Sequence, residues 1–180
     1  MRVVPIEVTG PRRLAGDDFA AWAGHAATPL LRYAHALTGR GADAEDLTQE
    51  TLVRVGLAWA RLEPERDPMP YARRTLLNIF LNERRRAARW RSVAPRVAVP
   101  DQAPEPGSPD AAESRALLAL LPPRQRAVIA MRYLLDLDDA TIATELGCGE
   151  AAVRSNASRG LATLREHLAR TAPHGKEPTP

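Results

Sequence analysis

Apolar positions in the first half of the chain recur at helical spacing. Phe19, Trp22, Ala23 and Ala26 share one face, with Asp17 or Asp18 placed to cap the helix that carries them. Pro29 predicts a kink or a restart before Leu30, Tyr33, Ala34 and Leu37, and Gly39 and Gly41 predict the end of that segment. A second helix is predicted from near Asp43, with Leu47, Thr51, Val55 and Trp59 along one side. The charged loop RLEPERDPMP then breaks the pattern at Pro64, Pro68 and Pro70. A third helix follows from about Tyr71 to Trp90, with Ala72, Leu76, Ile79 and Phe80 facing inward.

Residues 92–111, SVAPRVAVPDQAPEPGSPDA, carry five prolines and no aromatic residue, the pattern of an extended linker. Beyond it, Leu117, Leu118, Leu120 and Leu121 lie on a short helix ended by Pro122. Pro123 suits the first turn of the next helix, which buries Val128 and Met131. After a turn at Asp136, Asp138 can cap a short helix holding Ile142, Ala143 and Leu146, with Gly147 as its C-cap. From Gly149 a longer helix places Val153, Ala157, Leu161, Leu164 and Leu168 on its buried side. A short helix, a tight glycine turn and a longer helix spell a helix-turn-helix. The expected fold is all-α: two small helical domains, 14–91 and 112–170, joined by the Pro-rich linker 92–111. The flanks 1–13 and 171–180 read as loose ends.

Composition supports this reading. Of 180 residues only eight are aromatic, whereas alanine and leucine supply 32 and 22, a mix that favours helices over a β-sandwich. The net charge of +3 conceals an uneven distribution: residues 43–67 hold seven acids against three Arg, and residues 68–91 hold seven Arg against Glu83 alone. Such a reversal between neighbouring segments implies two surfaces for two partners. The basic residues are 24 Arg and one Lys, a bias compatible with gripping phosphates and guanine edges. A single cysteine, Cys148, excludes an intramolecular disulfide and a multi-cysteine zinc site. Neither a membrane span nor a signal peptide is recognisable, so the protein is expected to be soluble and cytoplasmic.

Three segments are candidates for function. The helix from Gly149 offers Arg154, Ser155, Ser158 and Arg159 in its N-terminal half, the part that enters the major groove in helix-turn-helix proteins; a solvated polar face is the plainer account. The third helix carries Arg73, Arg74, Arg84, Arg85, Arg86, Arg89 and Arg91, with Asn78 and Asn82 on one face beside Arg74 and Arg85. That patch suits nucleic acid, or simply a charged face that keeps the bundle soluble. The run DAEDLTQE puts Asp43, Glu45, Asp46 and Glu50 on the first turns of the second helix, consistent with dipole capping or with protein docking. No catalytic triad, phosphate loop or metal-ligand spacing is visible; no enzyme activity, no cofactor and no metal are expected.

In order along the chain, GRGADAEDLTQETLVRVGLAW (Gly39–Trp59), PYARRTLLNIFLNERRR (Pro70–Arg86) and the helix-turn-helix segment Leu117–Leu168 resemble the extracytoplasmic-function (ECF) sigma factors of the sigma-70 family. The resemblance implies a region 2-like domain that binds core RNA polymerase and the minus-ten element, and a region 4-like domain that reads the minus-thirty-five element. It implies polymerase docking through Asp43, Glu45, Asp46, Leu47, Gln49 and Glu50. Minus-ten contacts would come from Arg74, Asn78, Asn82, Arg85 and Arg86, and minus-thirty-five contacts from Arg154, Ser155, Asn156, Ser158 and Arg159. The loop Arg61–Met69 would hold a base flipped out as the promoter melts. The partners implied are core RNA polymerase, promoter DNA and an anti-sigma protein. Gly160, inside the recognition helix, is expected to cost up to about 1 kcal/mol relative to alanine. A stand-alone helix-turn-helix regulator is the alternative, but it leaves the acidic helix without a role.

Overall fold

The computed structural model describes residues 15–62, 67–93 and 109–171, with side chains from 18, up to 90 and from 112 respectively. Every regular element among them is helical: α1 (Ala15–Thr38), α2 (Gly41–Ala58), a 3-10 turn (Trp59–Arg61), α3 (Met69–Val93), α4 (Pro109–Ala119), α5 (Pro123–Tyr133), α6 (Asp139–Leu146) and α7 (Glu150–Thr171). Within the expected linker, residues 94–108 lie outside the described residues, as do 1–14, 63–66 and 172–180.

The first three helices form a bundle around Leu30, Tyr33, Leu37, Val55 and Leu76, all fully buried. Phe19, Trp22 and Trp59 stack at one end, with ring centroids 5.2–6.0 Å apart. Gly56 admits this cluster: a Cβ there would lie 3.1 Å from the Phe19 ring. Pro29 does not restart the helix. It sits inside an uninterrupted α1, where the burial of Ala26, Leu30, Tyr33 and Ala34 outweighs the hydrogen bond that proline removes. The start of α1 at Ala15 also places Asp17 and Asp18 within the helix, not at its cap. Gly39, at φ +73°, takes the left-handed turn that ends α1, and its N–H donates to His35 O at 2.9 Å.

In the second half, Val128, Met131, Ile142, Val153 and Ala157 are buried where α5, α6 and α7 meet. Asp138 caps α6 by accepting from Thr141 N at 2.7 Å, and Gly147 closes it in the left-handed conformation at φ +61°. The Thr141 amide holds the Asp138 carboxyl below its usual range. Gly160 is not a defect in α7: it lets α5 approach, since a Cβ there would lie 3.1 Å from Ile129 Cγ1.

The two halves pack on each other, α5 and α4 against α1 and α6 against α3. Arg126 is 4 % exposed and ties several elements together. Its guanidinium donates to Leu37 O (2.5 Å) in the last turn of α1, and to Ala119 O (2.8 Å) and Leu121 O (3.1 Å) at the end of α4. One cation thus serves two helix C-termini, where carbonyls lack intrahelical donors and the dipole favours positive charge. Burial, with Arg84 nearby, lowers its pKa to about 10, so it stays protonated at neutral pH.

Two glycines should respond oppositely to alanine. Gly160→Ala must displace buried Ile129, and the overpacking penalty of about 1–3 kcal/mol exceeds the helix-propensity gain of up to about 1 kcal/mol. Gly24, exposed in α1 with nothing near its Cβ position, has only the gain. Urea unfolding should show Gly160→Ala less stable and Gly24→Ala more stable than the parent.

Candidate functional site

On α2 the buried stripe is Ala44, Leu47, Thr48, Thr51 and Val55, which turns Asp43, Glu45, Asp46, Gln49 and Glu50 to solvent. Leu47 is 2 % exposed and belongs to the core. It fixes the helix instead of meeting a partner, which corrects its expected docking role. Truncating it to alanine would cost about 2–5 kcal/mol of stability. The buried hydroxyls of Thr48 and Thr51 are satisfied within the helix, donating to Ala44 O and Leu47 O, both at 2.7 Å. Exposed Glu50 pairs with Arg54 at 2.5 Å, and Asp43 with Arg40 at 3.5 Å.

The sequence pattern missed a contributor to this face. Glu83, on basic α3, faces α2: burial first, then the Glu50 and Asp43 carboxylates, raise its pKa; Asp46 adds to this and Arg54 opposes it. Two helices therefore build the acidic surface. The signal available was Glu83 itself, the one acid between residues 68 and 91.

Around α3 the side chains divide by direction. Ala72, Leu76, Ile79 and Phe80 are buried, whereas Arg74, Asn78, Asn82, Arg85 and Arg86 are exposed. Arg85 donates to Asn82 Oδ1 at 3.3 Å, linking two members of this set. The basic patch is smaller than its sequence implies. Arg84 lies over the Phe80 ring, 5.4 Å from its centroid. Arg73 turns away to form an ion pair with Glu145 on α6, 72 residues distant, Nε donating to Oε2 at 2.8 Å and Nη2 to Oε1. Both side chains are sheltered, 14 % and 3 % exposed. The hydrogen bond to Glu145 raises the Arg73 pKa against the opposing effect of burial. Tyr33 from α1 closes over the pair, its hydroxyl fully buried and its pKa driven up by burial and then by Glu145. Removing one member of such a pair strands a buried charge, at about 3–5 kcal/mol.

On α7, Arg154, Ser155, Ser158 and Arg159 are exposed in the first half of the helix, opposite buried Val153, Ala157 and Gly160. Arg154 is steadied by Glu150 at 3.0 Å and Arg159 by Ser155 O at 3.3 Å. Asn156 differs: half-buried, it donates to Ala152 O at 2.8 Å and lines a cleft facing α3. Arg74, Asn78, Asn82 and Arg85 line the opposite wall of that cleft. Of the loop Arg61–Met69, residues 63–66 lie outside the described residues; Asp67 accepts from Met69 N at 2.9 Å at the start of α3. Among the described residues no group of three or more His, Cys, Asp or Glu could hold a metal ion, and no helix is long and apolar enough to cross a membrane.

Both halves of the chain match known families. Residues 23–90 match the Sigma-70 region 2 family, and residues 113–164 match Sigma-70, region 4. The chain is 41 % identical over 153 residues to the ECF RNA polymerase sigma factor SigL of Mycobacterium tuberculosis, covering 78 % of this chain and 82 % of that protein. The chain belongs to the ECF sigma factors of the sigma-70 family. The RNA polymerase sigma-E factor of Streptomyces coelicolor is 33 % identical over 146 residues, covering 77 % and 79 % of the two chains. Among solved structures, the sigma factor RpoE in complex with the anti-sigma factor NepR from Bartonella quintana shares the fold at TM-score 0.70 and 22 % identity, covering 87 % of this chain and 99 % of that one. CnrH in complex with the cytosolic domain of CnrY does so at TM-score 0.66 and 21 % identity, over 87 % and 91 %. As a sigma factor, the chain binds core RNA polymerase and promoter DNA and directs transcription initiation. Sigma factors as a class are not enzymes.

Glu83 gives this sigma factor a stability that depends on pH. Its folded-state pKa is raised, so its contribution is present below the pKa of the unfolded chain and lost as pH rises through the folded value. Glu83→Gln should therefore melt at a higher temperature than the parent at pH 7. The difference should close as pH falls towards about 4, the ordinary glutamate range; thermal unfolding followed by circular dichroism at several pH values checks this.

Proposed function

We propose a division of labour among three helical faces. The acidic face of α2, through Asp43, Glu45, Asp46, Gln49 and Glu50 and extended by Glu83, docks on core polymerase. The α3 stripe Arg74, Asn78, Asn82, Arg85 and Arg86 contacts the minus-ten element as it melts, and the loop Arg61–Met69 receives the flipped base. Arg154, Ser155, Asn156, Ser158 and Arg159 on α7 read the minus-thirty-five element. Residues 14–91 and 112–170 act as the two DNA-contacting domains, with 92–111 as the linker. The protein carries out no covalent chemistry of its own and works in the cytoplasm, where polymerase and chromosome are. An anti-sigma protein is a further partner, by analogy with RpoE of Bartonella quintana, which was solved in complex with the anti-sigma factor NepR.

The observation that carries this reading is the sidedness of α7. Four polar residues at the N-terminal half of the helix after the glycine turn point outward while its other side is sealed against α5 and α6. That is the geometry by which a recognition helix enters a major groove. A stand-alone regulator would share this feature but gives the acidic face of α2 and Glu83 nothing to do.

Reconstituted transcription with bacterial core polymerase on genomic DNA should yield discrete starts that share two upstream motifs. The double reversal Asp46→Lys with Glu50→Lys should abolish those transcripts while leaving duplex binding by α7 intact. Survival of transcription would remove α2 from the docking role. Arg154→Ala and Arg159→Ala should each weaken promoter binding by about 1–3 kcal/mol where the Arg grips a guanine. A mobility-shift series on base-substituted promoters separates that from a phosphate contact, for which every sequence loses affinity equally.

A further inference from the structure

The chain has three tryptophans, and they stand in opposite surroundings. Trp22 and Trp59 stack with Phe19 at the end of the first bundle. Trp90, near the end of α3, is 64 % exposed, and among the described residues no ring or cation stacks on its indole. Leaving an indole in water forgoes one of the largest apolar burials a side chain can offer. The charge around it says what kind of partner fits. Residues 84–91, RRRAARWR, hold five Arg and no acid, and every side chain from Asn82 to Trp90 is exposed. An apolar protein surface would have to desolvate those cations. A nucleic-acid strand neutralises them instead, and its bases carry π-faces that stack on an aromatic ring.

Trp90 is also in register with the residues assigned to the minus-ten element. Arg74, Asn78, Asn82, Arg86 and Trp90 are spaced four apart, so each side chain neighbours the next in one row along the helix. From Asn78 to Trp90 the row advances about 18 Å and winds roughly 120° round the axis. A duplex, with a persistence length of about 500 Å, is too stiff to follow that turn; an unpaired strand follows it readily. We propose that Trp90 is a stacking platform for an unpaired base of the promoter, next to the part of the minus-ten strand held by Asn82 and Arg86. The indole takes the face of the base, which is free only after the strand has melted. Stacking reads no base edge, so Trp90 stabilises the melted strand without choosing its sequence. The position is separate from the loop Arg61–Met69, which joins the opposite end of α3 about 30 Å away. The proposal rests on the assignment of α3 to the minus-ten element.

Holoenzyme assembled from the full chain and core polymerase tests this on two forms of a promoter found by transcript mapping: fully paired, and pre-melted by mismatches across the minus-ten element. Trp90→Ala should weaken binding to the pre-melted form by about tenfold and leave binding to the paired form, held cold enough to stay closed, as in the parent. Trp90→Phe should keep most of the affinity for pre-melted DNA, whereas Trp90→Leu, apolar but without a π-face, should lose it. A fluorescent base analogue moved singly along the unpaired strand should be quenched at one position by the parent and not by Trp90→Ala. Equal loss on paired and pre-melted DNA would overturn the platform. So would a Trp90→Leu variant that binds like the parent, or a Trp90→Ala variant that loses affinity for core polymerase without DNA, since either makes the indole an apolar docking residue. Asn82→Ala and Arg86→Ala on the same pre-melted DNA separate the two assignments. If they lose affinity and Trp90→Ala does not, the platform alone falls; if they bind as the parent does, the assignment of α3 falls.

Discussion

The arrangement of this chain turns on a pair of charges that neither half can satisfy by itself. Arg73 belongs to a helix rich in arginine, and Glu145 to a short helix whose other acid, Asp139, already pairs with Arg132. Sheltered alone, each would be strongly disfavoured. Together they bring α3 against α6 and set Arg74 beside the Gly147 turn. Arg126 applies a related solution at the other end of the contact, where a buried cation finds carbonyl oxygens at two helix ends instead of a carboxylate. The apolar surfaces of α1 and α5 can then meet with those carbonyls paired, while Arg126 Nε is buried without a partner.

Within that frame α3 serves several directions at once. One side feeds Ala72, Leu76, Ile79 and Phe80 into the core; Arg73 reaches α6, Glu83 faces α2, and Asn78, Asn82 and Arg85 meet the cleft. Its length makes this possible, because a helix of 25 residues presents about seven turns and can give different neighbours different faces. The acidic surface built by α2 and Glu83 carries a small electrostatic strain in the isolated chain. Burial first, and then the neighbouring carboxylates, raise the Glu83 pKa, and a basic partner would relieve the second of these.

Much of this was legible in the sequence where the signal is local. The α6–turn–α7 unit follows from Asp138 as a cap, Gly147 in a left-handed turn and the apolar period of Val153, Ala157 and Leu161. The solvent-facing side of α2 was equally readable. Leu47 shows how two sources of inference can collide: its spacing with Thr51 and Val55 marked it as core, while the family resemblance drew it into the docking set, and its burial follows the spacing. Pro29 misled because a local penalty was weighed without the tertiary burial on either side of it. Gly160 misled similarly, since its function is to admit Ile129 from another helix. Arg73 was unreadable for a more general reason. Its partner is 72 residues away, across a proline-rich segment, and a charge tally over neighbouring residues cannot find it.

The packing of the two halves does not treat all surfaces equally. Asp46, Gln49 and Glu50 on α2 and Arg154, Ser155 and Arg159 on α7 remain open to solvent while Arg74, Asn78 and Asn82 face the cleft. Arg74, Asn78 and Asn82 are nonetheless exposed, so the cleft borders the α3 stripe without burying it. An exposed arginine-rich helix binds phosphates of any sequence, because the electrostatic part of DNA affinity is blind to base identity. Arginines on such a helix cannot by themselves discriminate one promoter from another; that takes groups that read base edges.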